Sequence, residues 1–314
     1  MKKTLVVYAS RYGSSKEIAE AMGRILGPSA VIPASKFNET YRDFDNVVIG
    51  GGVYGEKIAP VLDDFVEYNK EWLQTKEVAL FSVSMAKNDK YLASLKKMLG
   101  NCVVWYASFG GILDPEVLNE EDTKALKRFF TMLGRRLTLK DVRDMTEVSA
   151  RTKELRRLFA NIDDEKNMPE GDLTDAVEEF LKAHNTCALG TGSGENIRVT
   201  PLEYMYSSNA LYILSEGGEK FANLMLNRKV SAAVFEPYAG FGKLASIQIA
   251  GNAELVPFDS NTYRRIVEMK NLDYDKLMAM PVRLTMIKIN MKRCEFLCSE
   301  FEKQGYASKQ ILYI

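Results

Sequence analysis

The chain has 314 residues, 46% hydrophobic and 27% charged, and its 42 Lys+Arg balance 42 Asp+Glu to a net charge of zero. That length is enough for two domains with full cores, and the composition is that of a globular protein. A neutral chain lacks the basic footprint of a nucleic-acid binder, and no apolar run approaches the ~20 residues of a membrane span. The opening MKKTLVVYAS has the look of a signal peptide, but Arg11 cuts its apolar segment too short, so a cytoplasmic location is expected. Cys102, Cys187, Cys294 and Cys298 are scattered and expected to be reduced; the last two, four apart, fit one helix face. With no CxxC and His184 as the single histidine, neither a metal site nor histidine-based nucleophilic chemistry is expected. His184 itself reads as a helix-terminal surface residue.

In chain order, Leu5-Val6-Val7 is a short strand buried on both faces. It runs through Ser10-Arg11-Tyr12-Gly13-Ser14-Ser15 into a helix with Ile18, Ala19, Met22 and Leu26 at helical spacing. A strand turning sharply into a helix leaves backbone N–H groups unpaired, and with serine hydroxyls and the helix dipole these favour a phosphate. The alternative is an ordinary turn whose serine only caps the helix. Neither GxxxxGK[ST] nor GxGxxG is present, which points to a singly phosphorylated ligand rather than ATP or NAD on this strand. Strands follow at 30–33, 47–50, 78–81 and 103–106, alternating with helices through Ile58–Val66, Tyr91–Leu99 and about 123–137. This rhythm predicts βαβ units and a five-stranded doubly wound parallel sheet of order 2-1-3-4-5. In such sheets ligands sit at the strand ends where the order reverses. Here those ends are Ser10–Ser15 and Gly51–Gly55, with Ser84, Met85, Ala86 and Lys87 after the fourth strand completing a cleft. Gly51, Gly52 and Gly55 either serve a tight turn or let backbone approach a flat ring, and Tyr54 among them either stacks on that ring or is a surface tyrosine.

Tyr8-Ala9-Ser10-Arg11-Tyr12-Gly13-Ser14-Ser15 resembles, position by position, the first loop of flavodoxins, most closely the flavodoxin-like proteins of the protoporphyrinogen-oxidase type. The resemblance extends to IGGGVYGEKIAPVLDDFV and to Phe109-Gly110-Gly111 after the fifth strand, covering Met1 to about Ala160. It implies FMN, its phosphate held by Ser10, Arg11, Tyr12, Gly13, Ser14 and Ser15. Gly52, Val53, Tyr54, Gly55, Ser84–Lys87 and Phe109–Gly111 would then lie around the ring. Tyr12 stands where the family usually has a polar residue.

Residues 1–160 are thus expected as one domain, the acidic NIDDEKNMPEGD at 161–172 as a linker, and 173–314 as a second domain. Leu173–Ala183 reads as a helix. Beyond it, strand-like segments at 186–191, 197–206, 210–215, 230–236, 244–256 and 283–290, with helices only at 218–227 and 261–269, predict a closed or nearly closed β-barrel. CALGT, ENIRVTPLEY, the segment from Asn209 to Phe235 and SIQIAGNAELV resemble the split-barrel flavoproteins of the pyridoxamine 5′-phosphate oxidase-like group. That resemblance implies Arg198, Val199 and Thr200 edging a flavin, Ser215 beside it, Lys220 on the FMN phosphate and Gln248 lining the ring. It also implies a homodimer. The ending EKQGYASKQILYI offers Lys303 and Lys309, not the arginines the oxidase uses for its phosphorylated substrate. Pyridoxamine phosphate oxidation is therefore not implied. Lys220 and Arg198 could instead be a solvated lysine and a strand arginine paired with Glu195.

The expected protein is a two-domain FMN oxidoreductase relaying electrons from a reduced nicotinamide such as NAD(P)H, or an electron-transfer protein, to a substrate or protein acceptor. No residue is singled out as catalytic, because the flavin carries the chemistry. The competing readings are an electron carrier without turnover, a barrel that binds partners or stores a ligand without flavin, and protoporphyrinogen-type oxidation by the first domain.

Overall fold

Aliphatic residues buried on both faces make Thr4–Ala9 the central strand β1 of the amino-terminal sheet. In the computed structural model, which describes residues 2–161 and 166–314, β1 runs parallel to both β2 (Ser29–Pro33) and β3 (Asn46–Tyr54). Helix α1 (Ser14–Leu26) joins β1 to β2 and buries Ile18, Ala19, Met22 and Leu26. After β3 come a short strand β4 (Lys57–Ile58), helices α2 (Pro60–Tyr68) and α3 (Lys70–Leu73), then β5 (Glu77–Ser84), α4 (Ala93–Leu99) and β6 (Val103–Gly110). The five parallel strands stand in the order β2-β1-β3-β5-β6, which is 2-1-3-4-5 when only the parallel strands are numbered, and β4 turns back antiparallel on β3. Alternate residues of β1 feed opposite layers: Leu5 and Val7 pack with Leu62, Phe65 and Leu95, while Val6 packs with Ile18, Met22 and Leu155. Beyond β6, β7 (Ile112–Leu113) and β8 (Lys140–Asp141) pair antiparallel around α5 (Glu120–Met132), and α6 (Met145–Asn161) closes the unit.

The chain divides into two compact units, Met1–Ile162 and Asp163–Ile314. The second opens with α7 (Glu170–Ala183) and continues through β9 (Thr186–Ser193), β10 (Asn196–Glu203), β11 (Met205–Ser207), β12 (Ala210–Ser215) and α8 (Lys220–Leu226). It ends with β13 (Lys229–Phe235), β14 (Ala245–Val256), α9 (Asn261–Met269), α10 (Tyr274–Met278), β15 (Thr285–Cys298), α11 (Glu300–Lys303) and β16 (Lys309–Tyr313). The strands form one antiparallel sheet of order β10-β9-β13-β14-β15-β12-β11, with β16 added to β15. This is the split-barrel architecture. Leu189, Ala232, Ile249 and Ile287 line its inner face, and Val177 and Leu181 of α7 pack against them.

Several local expectations change. The strand expected at 283–290 begins at Thr285 and runs on to Cys298 as the 14-residue β15, which carries Cys294 and Cys298, so these cysteines do not share a helix. β16 has no counterpart among the sequence-based strands. Of the expected linker, 162–165 lie outside the described residues, and Glu170–Asp172 form the first turn of α7, where acidic residues suit the helix dipole. Gly51 and Gly52 are inside β3 rather than in a loop. A Cβ on Gly51 would come within 2.5 Å of the Ala9 carbonyl oxygen, so close strand neighbours, not a turn, require glycine there. The turn is Gly55-Glu56, both at positive φ (57° and 64°), the two-residue hairpin geometry that joins β3 to β4. His184 caps α7, its ring 4.2 Å from that of Phe180 and its Nε2 2.8 Å from Glu236 Oε1.

Candidate functional site

The turn after β1 is built by its own hydroxyl: Gly13 N–H donates to Ser10 Oγ at 3.0 Å, and Gly13 sits at φ 95° as the residue before α1. No side chain caps α1. Helices α5, α9 and α10 are capped by Asn119, Ser260 and Asp273, while α2, α4, α7, α8 and α11 share the uncapped start; α1 differs from these in opening on a glycine and serine turn at the strand ends. The first-turn amides of α1 therefore keep their donor capacity and their share of the helix dipole for an anion. Ser15 is buried at the base of the turn and Ser14 half-buried at its mouth.

The other strand ends meet this turn. Gly111 N–H donates to the Ser84 carbonyl at 3.1 Å, and the position of a Cβ on Gly111 lies 3.6 Å from Ser14 Oγ. Tyr54 reaches back over Gly52, and its hydroxyl accepts the Arg11 N–H at 2.8 Å. The Arg11 guanidinium lies 4.5 Å from the Tyr54 ring centroid and donates to Asp122 Oδ2 at 2.8 Å; Tyr12 donates its hydroxyl to the same oxygen. These two donors hold the Asp122 carboxyl below its ordinary pKa, Tyr12 contributing most, while burial raises the Tyr54 phenol. Ser10, Arg11, Gly13, Ser14, Tyr54, Ser84 and Gly111 thus surround one corner of the sheet.

Other expected site residues have work elsewhere. Phe109 is buried in the core, 6.5 Å from Phe81 ring to ring. Gly110 lies under the chain entering α6, where a Cβ would meet the Val142 carbonyl oxygen at 1.8 Å. Lys87, at φ 45°, takes its N–H to Ser84 Oγ and its Nζ to Glu147 Oε2 at 2.6 Å, while Met85 is half-buried and Ala86 exposed. Gly55 is the hairpin residue and Val53 pairs with Ile58. Asp122, Asn119 and Glu147 were missed; the signal for the first two is the N-x-x-D start of α5, in which Asn119 Oδ1 accepts from Asp122 N–H at 2.7 Å.

In the second unit the corresponding device is a side chain. Lys220 is 5% exposed, and both its Nζ and the Ser215 hydroxyl donate to the Gly217 carbonyl. Burial lowers the Lys220 pKa, and the nearby Arg198 lowers it further. Arg198 pairs with Glu219, not with Glu195. Thr200 Oγ1 is buried without a hydrogen-bond partner among the described residues. Ser215, Lys220, Glu219 and Arg198 therefore gather at one turn, and Asn223 beside them donates to Thr191 and accepts from Asn196. Val199 is 64% exposed on the opposite face of β10. Gln248 is exposed in the row Ala188, Ala233, Gln248 and Glu295, on the face away from Ile247 and Ile249, and this chain does not bring it to Lys220.

With that geometry in place, the matches to known families fall on the same two units. Residues 5–138 match the flavodoxin domain and residues 173–298 match the pyridoxamine 5′-phosphate oxidase family. The chain is a fusion of a flavodoxin-like domain and a pyridoxamine 5′-phosphate oxidase-like domain, both of flavin-type oxidoreductase families. No curated protein matches it. Similar solved structures include a FAD-binding protein from Mesorhizobium loti (22% identity, 37% of this chain and 88% of that one, TM-score 0.31). HutZ, the heme storage protein of Vibrio cholerae, is 16% identical over 38% of this chain and 90% of that one, TM-score 0.33. ChuZ of Campylobacter jejuni is 17% identical over 51% and 66%, TM-score 0.35. No helix of the described residues is long and apolar enough to cross a membrane.

Proposed function

We propose that the chain is a two-flavin oxidoreductase, with one FMN at the β1–α1 turn and a second at the Lys220 turn. The observation that carries this reading is the uncapped start of α1 at a corner where four strand ends meet. Ser10 and Gly13 shape the turn, the first-turn amides and Ser14 hold the phosphate, and Tyr54 with the strand ends orients the ring. At the second site Lys220 supplies the counter-charge for a phosphate, Ser215 and Arg198 sit beside it, and the unpartnered Thr200 hydroxyl offers a further contact. FMN, when bound, supplies hydride and electron transfer; the protein binds, orients and shields it. NAD(P)H is the proposed donor. Four free cysteines are in keeping with a reducing, cytoplasmic setting.

The second unit pairs with another copy of itself. Ile197, Val199, Phe235 and Tyr313 are each more than half exposed and share one face of the sheet, flanked by the small residues Gly190, Ser231 and Ala250. Exposed apolar side chains around small residues, with Gln248, Arg293 and Glu295 on the same face, suit a self-complementary interface of mixed polarity.

The test is the absorbance spectrum of the purified chain, with extracted FMN counted per chain before and after NADH or NADPH. Two flavins and sustained NAD(P)H consumption with a dye acceptor support the enzyme. Two flavins bleached only through a reductase partner leave an electron carrier. A colourless protein that takes up no added FMN defeats the reading.

A further inference from the structure

The excursion between β7 and β8 is built unlike the rest of its unit. Helices α1, α2 and α4 each bury residues, and α6 buries Val148, Leu155 and Phe159; no residue of α5 is buried. Phe129, Met132, Leu133 and Leu139 are 53%, 83%, 54% and 62% exposed. At 100° per residue, Ala125, Leu126, Phe129, Phe130, Met132 and Leu133 share one arc of about 160°, with Lys124, Lys127 and Arg128 opposite. The basic series continues through Arg135, Arg136 and Lys140, and from Thr123 to Lys140 there is no acidic residue. All six cations are exposed, and none is in an ion pair with another described residue. Glu120, Glu121 and Asp122 in the first turn of α5 and Asp141 after Lys140 bound this stretch, so the positive charge is concentrated in the distal part of the arm, where it is interleaved with uncovered apolar side chains.

We infer that α5 and the segment between it and β8 dock the protein on a membrane surface rich in anionic phospholipid. The cations meet the headgroups, and Phe129, Met132, Leu133 and Leu139 enter the boundary of the acyl region, the division of labour of an interfacial amphipathic helix. An acidic protein, or an acidic face of a second copy, would satisfy the charges but leave four large apolar groups without a stated partner, whereas an anionic bilayer answers both. The two-stranded neck, Ile112 against Asp141 and Leu113 against Lys140, and the Arg11–Asp122 pair fix the root of this arm beside the β1–α1 turn. Docking would therefore hold that turn near the membrane surface. The docking itself does not depend on flavin binding.

The experiment is co-sedimentation of the full chain with vesicles of phosphatidylcholine alone and of phosphatidylcholine mixed with phosphatidylglycerol, at low and raised salt. The chain is expected on the mixed vesicles only, and to be released by salt. A K127E/R128E/R135E/R136E variant should lose binding, and F129S/M132S/L133S should weaken it at least tenfold. Circular dichroism and unchanged flavin content, whatever its value in the parent, confirm that the variants fold. No sedimentation with mixed vesicles overturns the inference, as does binding that both variants retain. A concentration-dependent dimer dissolved by F129S/M132S/L133S would assign the face to a second copy. Capture by polyglutamate in preference to mixed vesicles would assign it to an acidic polypeptide.

Discussion

The two units place an anion in different ways. In the amino-terminal unit the donors are main-chain amides at the head of a 13-residue helix, and side chains only shape the turn. In the carboxy-terminal unit α8 has seven residues, too short for a developed dipole, and a buried ammonium replaces it. The first arrangement is sensitive to backbone conformation and nearly blind to pH. The second tolerates backbone change but carries a desolvated charge that titrates. Mutations should therefore separate the units by type as well as by position.

The largest effect is expected from Gly13→Val. A β-branched residue at φ 95° carries ~1–3 kcal/mol of strain and reshapes the turn itself. Flavin extracted per chain should fall by the amino-terminal equivalent while the carboxy-terminal one remains; an unchanged flavin count would show that the turn is not the holder. Lys220→Met should do the reverse. Losing a charge-assisted bond worth roughly 1.5–3 kcal/mol weakens the second flavin by about ten- to a hundredfold on titration. Folding stability should hold or rise, since a buried charge is removed.

Ser10→Ala removes the acceptor for Gly13 N–H. A lost turn bond of ~1 kcal/mol predicts roughly fivefold weaker FMN binding at the first site, read by fluorescence titration. Tyr54→Phe is smaller and opposite in sign. It keeps the ring but releases the Arg11 N–H from the tyrosine hydroxyl, so FMN should bind up to a few-fold more tightly. Tighter binding by Ser10→Ala, or a large loss in Tyr54→Phe, would invert the roles assigned to these groups.

The smallest effect is on pH dependence. Lys220 has a depressed pKa in the folded chain, so between that value and the ordinary 10.5 the unfolded chain binds more protons than the folded one. Stability from this group therefore rises with pH across that alkaline window, and below it a constant penalty remains. Comparing denaturation midpoints of the parent and Lys220→Met over that range should reveal the slope in the parent and its absence in the variant.

What could be read from the residues alone was local in origin. The alternation of buried strands with amphipathic helices defined the doubly wound sheet, because burial on two faces and burial on one leave different periodicities. The Ser10–Ser15 turn was legible because glycine and serine chemistry act within a few residues, and the many short strands after 186 marked the second sheet. Strand β16 escaped notice because KQILY is short and becomes a strand only by pairing with β15. Gly51 looked like a loop residue because its reason, the carbonyl of Ala9, lies on the neighbouring strand.

Tertiary structure alone decided where the polar side chains went. Arg11 meets Asp122 across 111 residues, Lys87 meets Glu147 across 60, and the Tyr54 hydroxyl finds an amide 43 residues away. It also decided that the apolar arc of α5, which by sequence belongs to a packed helix, stays uncovered. Periodicity records that a face is apolar; only the arrangement of the other elements determines whether anything in the same chain lies against it.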